Sequence, residues 1–304
     1  MLNKMIAHTL PLLPKELIWY FSKTYIAGET VADAIRVSKD LNSSGASVTV
    51  DLLGEFISDI GMATMYREAY LDLIEKFSTS PVTGIYSLKP TMFGLLIDPG
   101  KCYAAIRTIV QAAAAQGSFV RIDMEDSRCV DLEIELFNKL KAEFPQHVGL
   151  VLQAYLKRTR HDLEAFRRSH TAGEEPINFR LCKGIYVKPP QIAYQDMPAI
   201  NRAFIENLDF MLRSGMYVGI ATHDRKLVEQ AEQLISHYGA GTDQYEFQML
   251  YGVTPRLRQR IITSGHKMRV YVPFGKSWFG YATRRLKENP TLVRHLLRAL
   301  LIKG

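Results

Sequence analysis

Eight short runs of β-branched and apolar residues recur along the chain, each followed by an amphipathic stretch with helical spacing, and this alternation leaves few architectures open. The runs are Ser47–Leu53, Val82–Lys89, Phe119–Asp123, Val148–Gln153, Phe179–Lys183, Tyr217–Ala221, Tyr245–Leu250 and Met268–Pro273. Between them the spacing predicts helices over Met62–Phe77, Tyr103–Gln116, Val130–Glu143, Asp162–Ser169, Ile200–Leu212, Lys226–His237 and Pro255–Ile262. Eight strands alternating with helices imply an α/β protein built as a (β/α)8 barrel.

An open doubly wound sheet shows the same alternation but needs a glycine-rich phosphate turn after its first strand. Here that turn reads Asp51-Leu-Leu-Gly-Glu55, with one glycine and an acid where a pyrophosphate requires backbone N–H groups. The barrel is therefore preferred. Residues 1–45 read as a helical extension, with helices over Pro14–Tyr25 and Val31–Leu41 and an N-cap in Gly28-Glu-Thr30. The barrel is expected over 46–288 and a final amphipathic helix within 289–304, at Leu292–Leu301.

A sequence that is 47% apolar and 23% charged can bury a large core. Cys102, Cys129 and Cys182 form no CxxC pair and have no histidines at ligand spacing, so no disulfide framework and no metal site is expected. No long apolar run or signal-peptide pattern occurs, which predicts a cytoplasmic protein. The net charge of +7 suits an acidic ligand, nucleic acid or an anionic membrane surface. Its basic residues are dispersed and carry no nucleic-acid-binding motif, so no nucleic-acid partner is expected.

In such a barrel the carboxyl ends of the strands face the active site. Nearly every strand here ends in a polar residue: Asp51 and Glu55, Lys89, Asp123 and Glu125, Gln153, Arg180 and Lys183, Thr222 and His223, and Tyr271, with Leu250 closing the seventh. No metal-ligand spacing or Gly-x-Ser-x-Gly elbow accompanies them. A helix after the last strand carries Tyr281, Arg284, Arg285 and Glu288, which fall on or beside one face. Paired guanidinium groups hold a carboxylate by two parallel bonds, and a nearby aromatic ring covers the apolar body of the same ligand. A solvated basic face is the plain alternative. No side chain stands out as a nucleophile, which points to chemistry delegated to a cofactor; a Schiff-base lyase using Lys89 or Lys183 is the competing reading.

Taken in order, the segments Asp51-Leu-Leu-Gly-Glu55, Val120-Arg-Ile-Asp-Met-Glu-Asp126, Leu152-Gln-Ala-Tyr-Leu156, Arg180-Leu-Cys-Lys-Gly-Ile-Tyr186, Ala221-Thr-His-Asp224, Tyr245–Leu250, Tyr271-Val-Pro-Phe-Gly275 and Tyr281–Glu288 make the chain resemble the proline dehydrogenases. That resemblance implies a TIM-type barrel that oxidises L-proline to Δ1-pyrroline-5-carboxylate with FAD as hydride acceptor. Arg284 and Arg285 would hold the proline carboxylate, oriented by Glu288 and shut in by Glu55. Lys89, Asp123 and Leu250 would line the substrate pocket, with Tyr271 and Tyr281 over the ring. Arg180 would sit beside flavin N5, and Gln153, Lys183, Thr222 and His223 would touch the cofactor. The resemblance further implies a quinone-type electron acceptor, peripheral contact with the inner membrane, and a separate aldehyde dehydrogenase that consumes the product.

Overall fold

A computed structural model describes residues 15–171 and 173–288. Helix α1 (Lys15–Ser22) and α2 (Val31–Ser43) precede strand β1 (Ser47–Leu52). There follow α3 (Gly61–Ser78), β2 (Gly84–Leu88), a 3-10 turn (Pro90–Phe93), α4 (Pro99–Ala115), β3 (Val120–Ile122), α5 (Val130–Glu143) and β4 (Val148–Gln153). The chain continues through α6 (Thr159–Ser169), β5 (Asn178–Cys182), α7 (Met197–Arg213), β6 (Tyr217–Ala221), α8 (Arg225–Tyr238), β7 (Tyr245–Leu250), α9 (Pro255–Thr263), β8 (Met268–Phe274) and α10 (Trp278–Glu288). The strands close in sequence order, β8 pairing back onto β1, and every pairing is parallel. The expected barrel is the observed one. The helix expected at Leu292–Leu301 lies outside the described residues.

Strand alternation divides the side chains between two environments. Val48, Val50, Leu150, Leu152, Phe179, Leu181, Val218, Ile220, Phe247, Val270 and Val272 are buried in the layer between sheet and helices. The alternate positions turn inward. Branched apolar side chains usually fill a barrel interior, but here Thr49, Asp51, Ser87, Arg121, Asp123, Gln153, Glu246 and Gln248 are all buried. A polar interior survives only when its members bond to one another. Arg121 does so through Asn178, its Nη1 donating to the backbone carbonyl at 2.9 Å and its Nη2 to Oδ1 at 2.6 Å.

Differences from the predicted boundaries have local causes. Helix α4 starts at Pro99 rather than Tyr103, because Asp98 accepts the Lys101 N–H and Pro99 presets the first turn. Helix α7 starts at Met197 rather than Ile200 for the same reason, Asp196 accepting the Ala199 N–H. Strand β2 is shorter than expected. The Thr83 N–H is taken by the Asn42 side chain, and Lys89 leads into the 3-10 turn that begins with Pro90.

The N-terminal segment is fastened to the far end of the chain. Thr30 caps α2 in a reciprocal arrangement with Asp33. Ala27 N–H donates to the Pro273 carbonyl, Gly275 N–H to the Gly28 carbonyl, and Trp278 Nε1 to Glu29 at 2.8 Å. Trp19 packs on Trp278 with ring centroids 4.7 Å apart, and Tyr25 lies 6.4 Å from Tyr281. These contacts set α10 beside the carboxyl ends of the strands.

Candidate active site

A cavity of about 320 Å³ opens at the carboxyl end of the barrel, within the usual size range of small-molecule sites. Lys89, Asp123, Gln153, Arg180, Lys183, Thr222, His223, Leu250, Tyr271 and Tyr281 all line it. These residues come from seven strands and α10, Arg180 and Tyr271 from the middle of β5 and β8 rather than from the strand ends where the sequence put them, so closure of the barrel is what assembles them. Glu55 lines a smaller adjoining cavity of about 150 Å³, whose wall includes Lys89 and Tyr281 as well. Arg284, Arg285 and Glu288 fall within α10, but their side chains lie outside the described residues.

One wall is a compact charge cluster. Lys89 Nζ lies 2.9 and 3.0 Å from the two Asp51 oxygens, 3.4 Å from Asp123 Oδ2 and 3.3 Å from the Tyr271 hydroxyl. Tyr271 donates to Asp123 Oδ2 at 2.8 Å, and Ser87 donates to Asp123 Oδ1 at 2.7 Å. Burial pushes the Asp51 carboxyl up to about 6 against the pull of Lys89, which still leaves it ionised at neutral pH. Burial alone would lower the Lys89 ammonium, but Asp51, Tyr271 and Asp123 outweigh it and hold the group well above its ordinary value. Burial, then Asp123 and Asp51, keep Tyr271 a neutral phenol far beyond the usual tyrosine range. With two carboxylates to one ammonium, this wall favours positive charge on a ligand. A permanently charged Lys89 is the reverse of what Schiff-base chemistry requires, so that reading loses its first candidate. The second, Lys183, is ion-paired with Asp224 at 3.1 Å.

Beside this wall stands Arg180, whose guanidinium is 5.7 Å from the Tyr271 ring and whose Nε donates to Gln248 Oε1 at 2.8 Å. Gln153 is 3% exposed; its Nε2 donates to the Met124 and Glu125 carbonyls, while its Oε1 is buried without a partner. An orphaned acceptor on a cavity wall calls for a ligand N–H. His223 Nε2 accepts the Leu250 N–H at 2.8 Å, which assigns the neutral ring's proton to Nδ1. Gly184, at φ +96°, rests on Tyr155, where a Cβ would come within 2.1 Å of the ring; only glycine permits that loop to lie so flat.

Asp224 and Gln248 belong to the site although the predicted set omits them, and Asp51, expected only as a polar strand end, holds Lys89 there. Asp51 and Gln248 sit on the inward register of their strands, in phase with Thr49 and Leu250, and that period-two signal was available. Asp224 lines the cavity, caps α8 through the Lys226 N–H and bonds Lys183. Among the described residues no group of three or more His, Cys, Asp or Glu is placed to hold a metal ion, and no helix is long and apolar enough to cross a membrane.

Glu125 ties the cavity to the loop bearing Glu55. Its two oxygens accept Thr91 N–H at 2.9 Å and Thr91 Oγ1 at 2.6 Å, and Thr91 Oγ1 accepts the N–H of Phe56, which sits at φ +47°. Burial raises the Glu125 carboxyl to about 7 despite those bonds. The folded protein thus keeps a proton that the unfolded chain has lost. Glu125 therefore contributes stability that is present below about pH 4.5 and disappears as pH rises through about 7. Glu125→Gln is expected to flatten the fall in unfolding free energy between about pH 5 and 8 by roughly 2–3 kcal/mol. Denaturant titrations at both pH values test this, and equal slopes for the two proteins would refute it.

A family model described as proline dehydrogenase matches residues 34–296. The proline dehydrogenase of Deinococcus radiodurans is 31% identical over 293 residues, covering 95% of this chain and 93% of that protein. Proline dehydrogenase 2 of Bacillus subtilis strain 168 is 33% identical over 277 residues, covering 90% and 88%. Among solved structures, proline utilization A from Bdellovibrio bacteriovorus, inactivated by N-propargylglycine, superposes with a TM-score of 0.82 at 23% identity. That match covers 89% of this chain and 33% of the larger one, so this chain spans about a third of that protein.

Proposed function

Because the chain belongs to the proline dehydrogenase family and is an enzyme of proline oxidation, we propose that it converts L-proline to Δ1-pyrroline-5-carboxylate in this cavity with FAD as its cofactor. The observation that carries the reading is the Lys89–Asp51–Asp123–Tyr271 cluster standing beside Arg180 in one cavity. Oxidation of a cyclic amine to an imine removes a hydride from the ring carbon and a proton from nitrogen, so positive charge grows on nitrogen as the C–H bond breaks. The excess of carboxylate over ammonium on the cluster wall stabilises that charge where it develops. Tyr271 and Tyr281, both 8% exposed, exclude water from the ring's apolar face. Arg284 and Arg285 hold the substrate carboxylate, Glu288 orients them, and Glu55, on the adjoining cavity, shuts the pocket. Leu250 packs against the proline ring.

The residues fit a flavin. The orphaned Gln153 Oε1 suits an N–H on the ring edge. Lys183, Thr222 and His223 supply donors to the cofactor, and the flat loop at Gly184 leaves room for it. When bound, FAD supplies the hydride acceptor. Arg180 provides fixed positive charge where negative charge accumulates during the transfer. The same reading would have a quinone-type acceptor take the electrons, reversible contact of the basic surface with an anionic membrane, and a separate aldehyde dehydrogenase as consumer of the product.

The first test is a visible spectrum of the purified protein before and after anaerobic L-proline. Flavin bands that bleach are the expected result; a protein that neither carries flavin nor gains proline-dependent bleaching after incubation with FAD would remove the reading. Arg180→Met is expected to keep the fold, lower the flavin reduction potential and slow bleaching by about 100-fold. Bleaching at the wild-type rate and potential would mean that Arg180 is not the cation beside the flavin.

A further inference from the structure

Strand β7 sends Glu246, Gln248 and Leu250 inward at successive levels, from the middle of the barrel to the cavity. Gln248 and Glu246 are each 3% exposed, and both ends of the Gln248 carboxamide are committed. Its Nε2 donates to Glu246 Oε1 at 2.8 Å, while its Oε1 accepts from Arg180 Nε at 2.8 Å. The same Glu246 oxygen accepts from Arg269 Nε at 2.7 Å, and Arg269 Nη1 donates to the Val48 carbonyl of β1 at 2.9 Å. A continuous bonded path therefore climbs the interior from β1 backbone through Arg269, Glu246 and Gln248 to Arg180.

The polarity of that path is determined. Burial would raise the Glu246 carboxyl, but the Arg269 charge and the bonds from Arg269 and Gln248 outweigh it and hold the group below its ordinary value. Glu246 is thus an acceptor only, and Gln248 must turn its NH2 toward it and its carbonyl toward Arg180. The reversed amide would set acceptor against acceptor at one end and donor against donor at the other. Space is provided by the neighbouring strand. A Cβ at Gly219 of β6 would lie 2.4 Å from Gln248 Nε2, so the carboxamide fits only because position 219 has no side chain.

We propose that Gln248 is a positioning residue for proline oxidation, holding the Arg180 guanidinium at one orientation in the cavity by linking it to the buried Glu246–Arg269 ion pair. The bond is made through Nε, so it fixes the arm of Arg180 without occupying either terminal nitrogen. The inference rests on the reading of Arg180 as the cation beside the flavin.

The test compares wild type, Gln248→Leu, Arg180→Met and the double variant by flavin midpoint potential, by kcat and KM for L-proline, and by melting temperature. Gln248→Leu is expected to lower the potential in the same direction as Arg180→Met and to reduce kcat by roughly 10-fold with a smaller change in KM. The double variant should be no worse than Arg180→Met alone, since the carboxamide has nothing left to orient. Gly219→Ala keeps the carboxamide but displaces it, and carries the same expectation if Gln248→Leu does not fold. An unchanged potential in flavin-loaded Gln248→Leu or Gly219→Ala, or additive losses in the double variant, would overturn the inference while leaving the cofactor reading intact. A wild-type protein without flavin, and unable to take it up, would overturn the cofactor reading and the inference with it.

Discussion

Replacing Lys89 by methionine should lower kcat/KM for L-proline by at least about 100-fold and destabilise the protein by roughly 3 kcal/mol. Both effects come from one geometry. Asp51 is fully buried and has Lys89 within 3.0 Å of both its oxygens. Removing the ammonium leaves a carboxylate without a counter-ion in a low-dielectric interior, which costs far more than the pair contributes. The freed Asp51 will bind a proton more readily in the folded protein than in the unfolded chain. Its folded value is then raised, so the stability deficit should be smallest at low pH and widen as pH rises. The double variant Lys89→Met, Asp51→Asn separates structure from function: it should recover much of the lost stability, because Asp51, the carboxylate most tightly held by Lys89, no longer carries a charge, and little of the lost activity. A single variant within about 10-fold of wild type would take the cluster out of the site.

Prolinamide should be used at least about 100-fold less efficiently than proline, and Arg285→Lys should fall by a comparable factor although it keeps its charge. The expectation follows from the clamp proposed on α10. Tyr281 is buried and lines both cavities, and Arg284 and Arg285 follow it by three and four positions, which on a helix places them one turn away toward the same side. A planar fork meets a carboxylate through two parallel bonds, and neither an amide ligand nor a lysine side chain reproduces that pairing. Measuring kcat/KM for both substrates in both proteins decides the matter. Equal turnover of prolinamide and proline by the wild type would leave the arginine pair as a solvated helix face.

Much of this architecture was legible in the residue pattern, and the reason is physical. Runs such as Val148–Gln153 and Tyr217–Ala221 are buried on both faces of a parallel sheet, so they read as compact apolar stretches between helices of clear periodicity. Strand ends were legible because a charged residue closing an apolar run, as at Lys89, has no place in the packed layer. What escaped was the barrel's interior. Glu246 and Gln248 alternate with apolar neighbours much as ordinary solvent-facing residues do; the alternation marks them as facing one side, but not that this side is a buried polar axis rather than solvent. Their partners, Arg269 and Arg180, are 23 and 68 residues away in sequence. Only closure of the sheet makes them neighbours. Helix starts were misplaced where a capping aspartate and a proline, rather than the apolar stripe, determine the first turn.

The clasp between the N-terminal segment and α10 has a bearing on how the protein is made. Trp278 and Glu29 are 249 positions apart, and at a ribosomal pace of about 5–20 residues per second the early segment waits roughly 10–50 s for its partner to be synthesised. During that interval the growing chain can pair successive strands, each with the one before it, while Trp19 and Glu29 wait for Trp278. Helix α10 follows all eight strands in the chain, so it meets the N-terminal segment only after every strand of the barrel has been made. A change at Glu29 or Trp19 is thus expected to disturb the placement of α10 over the cavity before it disturbs the strands.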